Sequence, residues 1–156
     1  MTAFEKSLEV LSELFGRDYT FVMATVKNNV PVQRVVDTFY YEGEFWIVTY
    51  ALSNKVKEIA NNPEVSLCNT FHTFSGKAYN AGHPLKSKNL EIRSKLINVF
   101  ESWYFAHNNE NDENMCYVRV KLESGFFHKD GIGYKVNFSE KTAEEFPFTP
   151  QIEMIH

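Results

Sequence analysis

The sequence has no excess of basic residues and no long apolar run. Its 16 Lys and Arg residues are outnumbered by 20 Asp and Glu residues, which gives a formal net charge of −4. We therefore expect no nucleic-acid binding through phosphate neutralisation. No stretch approaches the roughly 20 apolar residues that cross a bilayer. The stretch from Met1 to Gly16 mixes charged and apolar residues and lacks a signal-peptide core. We expect a cytoplasmic protein that binds no membrane.

Residues that ligate metals are also sparse. The 5 histidines are scattered, and no CxxC or HxxxH spacing occurs, so no metal site is predicted. Cys68 and Cys116 lie far apart in predicted strands, and we expect both to be small buried side chains. A GxGxxG motif, an internal repeat and a domain linker are missing as well. The length suits one domain over residues 1–156.

Apolar and aromatic side chains, by contrast, are abundant. Hydrophobic residues make up 44% of the chain and aromatic residues 15%, which indicates a packed globule rather than a disordered chain. Bulky rings fill a small β-rich core, and they also suit a subunit interface or a planar ligand. Composition leaves both uses open.

Hydrophobic periodicity predicts an α+β chain that is mainly antiparallel β-sheet. Tight turns are expected at Asn28-Asn29, Glu42-Gly43 and Asp130-Gly131, where positive φ is tolerated. The segment from Ser139 onward is expected to be irregular. Seven or eight strands with flanking helices favour a closed barrel, because closure removes exposed sheet edges. Predicted strands cover 19–27, 30–41, 44–50, 64–71, 74–80, 115–122, 125–128 and 132–138, and predicted helices cover 3–15, 53–61 and 85–107.

One stretch, from Arg34 to Cys68, points to chemistry. Arg34 lies on one predicted strand, Thr49 ends the next, and Ser53 and Lys55 open a helix. The first N–H groups of a helix have no intrahelical partner, and the helix dipole adds positive charge there. A phosphate group suits such a place. Arg34 could offer a bidentate fork and Lys55 a point charge.

The order and spacing of five short motifs resemble the pyridoxamine 5′-phosphate oxidase-like split-barrel family, whose members bind FMN. The resemblance implies a split β-barrel with flanking helices, an FMN cofactor, and a homodimer with flavin sites at the subunit interface. The five motifs are Arg34-Val35-Val36, Val48-Thr49, Ser53-Asn54-Lys55, Asn62-Pro63-Glu64-Val65-Ser66-Leu67 and Gly76-Lys77-Ala78.

The resemblance also implies a set of cofactor-binding residues. Arg34 and Lys55 would hold the flavin phosphate, with hydroxyl or backbone hydrogen bonds from Thr49 and Ser53. Two valines would line the isoalloxazine ring, and Asn54 stands where some members carry Arg. No catalytic residue is assigned. The full predicted set is Arg34, Val35, Val36, Thr49, Ser53, Asn54 and Lys55.

Several neighbouring residues have two interpretations. Asp37 either faces solvent or contacts a ring nitrogen of the flavin. Gly76 allows close backbone approach at a partner subunit or forms a bulge within its own sheet. His72 and His83 are the histidines considered for a place near the substrate, because a proton donor near flavin is useful.

The C-terminal end departs from the vitamin B6 oxidases of the family. Those enzymes end in an Arg-rich, Trp-containing segment that binds substrate phosphate, whereas Phe146 to His156 contains neither Arg nor Trp. We expect an FMN-dependent oxidoreductase that acts on an unidentified small molecule, resembling a nitroreductase or flavin reductase and using a small-molecule electron donor. The alternative is a non-catalytic module that binds or stores flavin, deazaflavin or haem. A dimer that has lost its cofactor is a third possibility.

Overall fold

The computed structural model describes residues 1–151. Strands make up about 48% of the chain and helices about 25%. The elements are α1 (Ala3–Phe15), β1 (Tyr19–Lys27), β2 (Val30–Tyr41), β3 (Glu44–Tyr50), α2 (Asn54–Asn61), β4 (Glu64–Asn69), β5 (His72–Gly82), a 3-10 turn (Ser87–Asn89), α3 (Leu90–Val99), α4 (Tyr104–His107), β6 (Met115–Lys129), β7 (Ile132–Asn137) and β8 (Thr142–Pro147).

The strands form one antiparallel sheet that closes on itself. Its order is β3-β2-β1-β4-β5-β6-β7-β8, and β3 also pairs with β6. Six strands therefore form a barrel, as predicted for a split β-barrel. The long strand β6 makes both connections: its residues up to Lys121 pair with β3, and its residues from Ser124 pair with β7. Strands β7 and β8 therefore continue the sheet beyond the point of closure, and Tyr134 and Val136 of β7 pack in the same core.

Helix α1 packs its apolar stripe against the barrel core. A capping box begins the helix, since Glu5 N–H donates to Thr2 Oγ1 (3.1 Å) and Thr2 N–H donates to the Glu5 carboxylate (3.2 Å). Phe15, at the end of the helix, is fully buried. It meets several core rings edge-on, and edge-to-face contacts of this kind are favourable. These rings are Phe45, Phe74 and Phe127.

The connection between β5 and β6 builds a second apolar cluster outside the barrel. Helices α3 and α4 contribute Leu96, Phe100 and Tyr104, which pack against Phe39 of β2 and Tyr117 of β6. Part of the outer barrel surface is therefore covered by the chain itself, next to strands β2 and β3.

The single helix predicted over 85–107 is wrong, because the chain bends sharply at Phe100. Phe100 has φ −102° and ψ 23°, and its carbonyl accepts from both the Trp103 and Tyr104 N–H groups (2.9 and 2.7 Å). The bend buries Phe100 and Tyr104 while Trp103 stays partly exposed. A continuous helix would not separate these rings in this way.

Two sheet predictions also need correction. The segments 115–122 and 125–128 are one strand, in which Gly125 leaves room for the Phe74 ring that a Cβ would meet at 2.5 Å. The tail predicted to be irregular from Ser139 contains β8, which among the described strands pairs with β7 alone. Pro147 is tolerated because it lies at the end of this outermost strand. The part of that prediction covering 152–156 lies outside the described residues.

The two cysteines differ in burial. Cys116 is buried as predicted, whereas Cys68 is exposed. The prediction for Cys68 is wrong because side chains alternate along β4, and Cys68 falls on its outer face between buried Leu67 and the end of the strand.

Within residues 1–151, no helix is long and apolar enough to cross a membrane. The single domain over 1–156 and the cytoplasmic location stay predictions.

Candidate functional site

A cleft opens where β2 and β3 separate. The two strands form only three residue pairs next to their turn, from Tyr41–Glu44 to Phe39–Trp46. Beyond them β2 stays with β1, and β3 pairs with β6. Among the described strands, none pairs with the edge of β2 from Val35 to Asp37 or with the facing edge of β3. Backbone N–H and C=O groups are therefore available to a ligand there.

A cavity of about 480 Å³ occupies this gap. Its walls come from both separated strands, from the start of α2, and from the end of α4. Apolar, acidic and basic side chains all contribute, so the cavity can hold an apolar ring system and an anionic group together. The lining residues are Val35, Val36, Asp37, Ile47, Val48, Lys55, Trp103, His107 and Asn108.

Lys55 provides a partly buried cation in the cleft. Its ammonium group donates to Thr49 Oγ1 (3.1 Å), and Thr49 Oγ1 lies 3.4 Å from Ser53 Oγ. Burial lowers the pKa of Lys55, and the nearby positive charge of Arg34 lowers it further. An anion bound here would reverse both effects, because it would compensate the lost hydration and the like-charge repulsion.

The first turn of α2 adds three backbone donors. Ser53 is the N-cap residue with extended backbone (φ −69°, ψ 152°), yet its side chain makes no capping hydrogen bond. The first intrahelical bond runs from Lys57 N–H to Ser53 O (3.2 Å). The N–H groups of residues 54–56 therefore have no intrahelical acceptor. With the Lys55 ammonium group, they form an anion-binding corner.

Arg34 is engaged by its own chain. One terminal nitrogen donates to Thr25 Oγ1 (2.8 Å) and Met23 O (3.3 Å), and the other donates to Glu58 Oε1 (2.7 Å). Glu58 is only 6% exposed and also accepts from Thr25 Oγ1 (3.2 Å). Much of the guanidinium fork is thus satisfied before any ligand arrives. Arg34 still places positive charge near Lys55.

The structure brings most of the predicted residues together. Val35, Val36 and Lys55 line the cleft, and Thr49 and Ser53 adjoin the Lys55 ammonium group. The Asn54 side chain instead lines a separate cavity of about 280 Å³ beside the β1–β2 turn. Its contribution to the cleft is restricted to its backbone N–H. A cofactor-binding role for these residues stays a prediction.

The two histidines considered near the substrate lie elsewhere. His72 is buried and stacks on His128, with ring centroids 4.5 Å apart. His83 Nδ1 accepts from Leu85 N–H (3.1 Å), and its Nε2 lies 3.1 Å from Asp112 O. Neither lines the cleft in the described part of the chain.

Asp37 and Gly76 also have defined surroundings. Asp37 is an exposed residue that lines the cleft and accepts a hydrogen bond from Thr20 Oγ1 (3.2 Å). A Cβ on Gly76 would lie 2.2 Å from Lys121 O. The close approach at Gly76 is therefore to β6 of the same chain, beside a register shift in the β5–β6 ladder.

Sequence reasoning missed Glu58, His107 and Asn108, and it considered Trp103 only as one of several aromatic residues that cover the flavin or reach a second subunit. Glu58 follows Lys55 by three positions, so helical spacing alone places the two on neighbouring parts of one face. His107 and Asn108 carry no comparable signal. They reach the cleft only because the connection between β5 and β6 folds back over the barrel.

A six-stranded antiparallel barrel with a cleft between two separating strands defines a split-barrel protein. The chain has the fold of the pyridoxamine 5′-phosphate oxidase-like FMN-binding proteins, so the predicted resemblance is confirmed at the level of fold. Comparison of the sequence with protein-family models gives no match, and comparison with the curated proteins gives none either.

Similarity to known proteins is found among solved structures. A NimC/NimA family protein of Clostridium acetobutylicum is 19% identical, with 95% of each chain covered and a TM-score of 0.57. A pyridoxamine 5′-phosphate oxidase-related, FMN-binding protein of Nostoc punctiforme is 11% identical, covering 96% of this chain and 98% of that one, with a TM-score of 0.56. HutZ, a haem storage protein of Vibrio cholerae, is 13% identical, covering 81% of this chain and 94% of that one, with a TM-score of 0.60.

Proposed function

We propose that the chain binds FMN in the cleft between β2 and β3. One observation carries the proposal: the uncapped start of α2 and the half-buried Lys55 ammonium group adjoin a gap between two strands, whose facing edges pair with no other strand of residues 1–151. The phosphate would take the anion-binding corner. The ring would lie against Val35 and Val36, with its polar edge toward the unpaired backbone groups.

The residues of the cleft fit such a cofactor and tune it. Bound FMN would supply hydride or electron transfer. Lys55 would hold the phosphate, with Thr49 and Ser53 orienting its ammonium group. Arg34 would add positive charge while Glu58 holds it in place. The aliphatic side chains of the cleft would exclude water from one face of the ring.

We propose that the protein is an oxidoreductase acting on a small molecule, using a small-molecule electron donor. The cavity supports this proposal because it is lined partly by exposed residues, such as Asp37 and His107. A bound ring would therefore remain within reach of a second small molecule. Nitro and quinone compounds are candidate acceptors, because the resemblance read from the sequence is to nitroreductase-like or flavin-reductase-like proteins.

We also propose a homodimer in which the flavin sites adjoin the subunit interface. Val22 lies opposite Val35 on one side and Cys68 on the other. All three are exposed, which places an apolar line across the outer face of β1, β2 and β4. Because Val35 also lines the cleft, a partner covering this line would lie beside the bound ring.

Haem is a second candidate ligand, and His107 is the observation that favours it. This imidazole lines the same cavity as Lys55, so it could serve as an axial ligand while the lysine pairs with a propionate. HutZ, the haem storage protein, shares the fold.

The deciding experiment is the absorption spectrum of the protein purified without added cofactor, repeated after incubation with FMN and desalting. Flavin bands at about one FMN per chain would support the proposal. Turnover of NADH or NADPH with nitro or quinone acceptors would then test the oxidoreductase. A Soret band would instead identify haem as the bound cofactor. A protein that shows no bands and retains no FMN would overturn the proposal, and a deazaflavin would then be tested in the same way.

A further inference from the structure

The end of α4 forms a wall of the cleft from within the same chain. Trp103, the N-cap residue of α4, lines the cleft together with His107 and Asn108 at the other end of that helix. These residues belong to the connection between β5 and β6, which packs on the outside of the barrel. The wall is therefore present in one chain, before any partner subunit binds.

Trp103 is held in a fixed orientation by two contacts. Its indole N–H donates to Asp18 Oδ2 (2.9 Å), which ties α4 to the segment before β1. Its ring lies against Phe100, with centroids 4.4 Å apart and planes inclined by 30°. A side chain anchored at one edge and along its ring loses little further conformational entropy when a ligand binds.

The separated strands contribute Val35, Val36, Ile47 and Val48 to the lining of the same cleft. Val36 and Ile47 are buried in the barrel core, whereas Val35 is 68% exposed. A flat heteroaromatic ring suits this arrangement because it can stack on the indole while its other side contacts the strand backbone and Val35. Stacking of a nucleic-acid base on an aromatic side chain, a comparable contact, is lost on substitution by alanine.

We propose that Trp103 is a cofactor-contacting residue, whose indole stacks on the isoalloxazine ring and determines how tightly the ring is held. This inference rests on the proposed function. Under this proposal, Trp103 forms the ring-binding part of the cleft and Lys55 forms its phosphate-binding part.

The experiment compares the dissociation constants of FMN and riboflavin, which share the ring and differ in the phosphate. Trp103→Ala should weaken both ligands by the same factor, on the order of tenfold. Lys55→Ala should weaken FMN and leave riboflavin unchanged. Two controls should leave both constants unchanged: Trp46→Phe alters the other tryptophan, and Phe105→Ala alters an exposed ring of the same helix that does not line the cleft.

A second measurement keeps the proposal testable if the alanine variant misfolds. Trp103→Phe keeps an aromatic ring against Phe100 but removes the indole, which quenches flavin emission at contact distance by electron transfer. Emission of bound riboflavin should therefore rise in Trp103→Phe and stay quenched in Trp46→Phe. A change of melting temperature alone, without this change of emission, would indicate a purely structural role for Trp103.

The possible failures are distinguishable. If the wild-type chain binds FMN and riboflavin but the two Trp103 variants change neither affinity nor emission, the ring contact is refuted and the flavin proposal stands. If Trp103→Ala weakens FMN alone, the ring does not lie against Trp103. If the wild-type chain binds neither flavin, both proposals are refuted together.

Discussion

Arg34 and Glu58 depend on each other because both are largely enclosed. Their side chains are 21% and 6% exposed, and the guanidinium and carboxylate groups approach to 2.7 Å. Arg34→Ala would leave the Glu58 carboxylate buried without its cation. We expect a loss of about 3 kcal/mol in the free energy of unfolding, measured by urea denaturation.

The control for this loss is the double variant Arg34→Ala/Glu58→Gln. It removes the buried charge as well, so we expect it to recover much of the lost stability. Equal stability of the single and double variants would mean that the unpaired Glu58 carboxylate is not what destabilises Arg34→Ala. The comparison also matters for function, because flavin lost from an unstable Arg34→Ala protein would not identify a phosphate contact.

Glu58→Gln alone should tighten FMN. The substitution removes a negative charge beside the anion-binding corner, while the amide oxygen can still accept from Arg34. We expect FMN affinity to rise severalfold at low salt and the gain to shrink as salt increases. Riboflavin, which has no phosphate, should show no gain. Glu140→Gln, in the turn between β7 and β8, is a matched charge control. Weaker FMN binding in Glu58→Gln would show that the carboxylate itself is needed.

His72 should make stability fall in mild acid. Burial lowers the pKa of His72 to about 4, and the adjacent His128 contributes. Within residues 1–151 its Nδ1 has no hydrogen-bond partner, and its other neighbours are the Phe15 and Tyr19 rings. The unfolded chain takes up a proton near pH 6.5, whereas the folded chain does so only near pH 4. Stability is therefore complete above pH 6.5 and is progressively lost between these values.

The expected loss between pH 7 and pH 4 is about 3 kcal/mol. His72→Phe removes the titrating group and keeps a ring in the aromatic surroundings, so its free energy of unfolding should depend less on pH. Denaturation curves at several pH values give the difference between the two proteins, from which the shared carboxylate titrations cancel. Parallel pH profiles of the wild-type and variant proteins would contradict the prediction.

At the scale of elements, local signals predicted the half of the chain that contributes β2, β3 and α2 to the cleft. The turn residues Asn28-Asn29, Glu42-Gly43 and Asp130-Gly131 all adopt positive φ, and they define hairpins without reference to distant parts of the chain. Strand β2, strand β3 and α2 follow one another closely, so Lys55 could be placed beside Thr49 from the sequence.

The connection between β5 and β6 could not be predicted in the same way. Its helices are positioned by burial of Phe100 and Tyr104 on Phe39 and Tyr117, which come from distant parts of the sequence. The turn at Thr70-Phe71 was also missed, because a β-branched residue and a large ring rarely adopt positive φ (43° and 66°). Strand β8 was missed because Pro147, its last residue, and Pro150, which follows it, suggested irregular structure.

Gly76 is needed for the pairing of β5 with β6. Because a Cβ would lie 2.2 Å from Lys121 O, Gly76→Ala must push the two strands apart or shift their register. We expect a loss of about 3 kcal/mol in the free energy of unfolding, measured by urea denaturation. Ser75→Ala, at the neighbouring exposed position, should change stability by less than about 1 kcal/mol. An equally small effect at Gly76 would mean that the strands adjust without strain.

At the level of the whole molecule, the closure of the barrel and the opening of the cleft have the same cause. Strand β3 leaves β2 after three residue pairs and continues alongside β6. That exchange of partners closes the six-stranded barrel and opens the cleft. The outer face of β1, β2 and β4 then remains as a surface with exposed Val22 and Val35 beside the opening. A second copy of the chain that covers this surface would also cover the cleft.

In the proposed dimer, this geometry would link assembly to FMN binding. Val22 lies at the centre of the apolar line, between Val35 and Cys68, so Val22→Glu would place a buried carboxylate on each side of a dimer interface. We expect monomers in sedimentation or light-scattering measurements at micromolar concentration, with weaker FMN binding than in the wild-type dimer. Val30→Glu introduces the same charge at an exposed valine beside the β1–β2 turn and should preserve the dimer. A Val22→Glu protein that remains dimeric would place the interface elsewhere. A monomeric variant with unchanged FMN affinity would show that each cleft is complete within one chain, with Trp103 as its own aromatic wall.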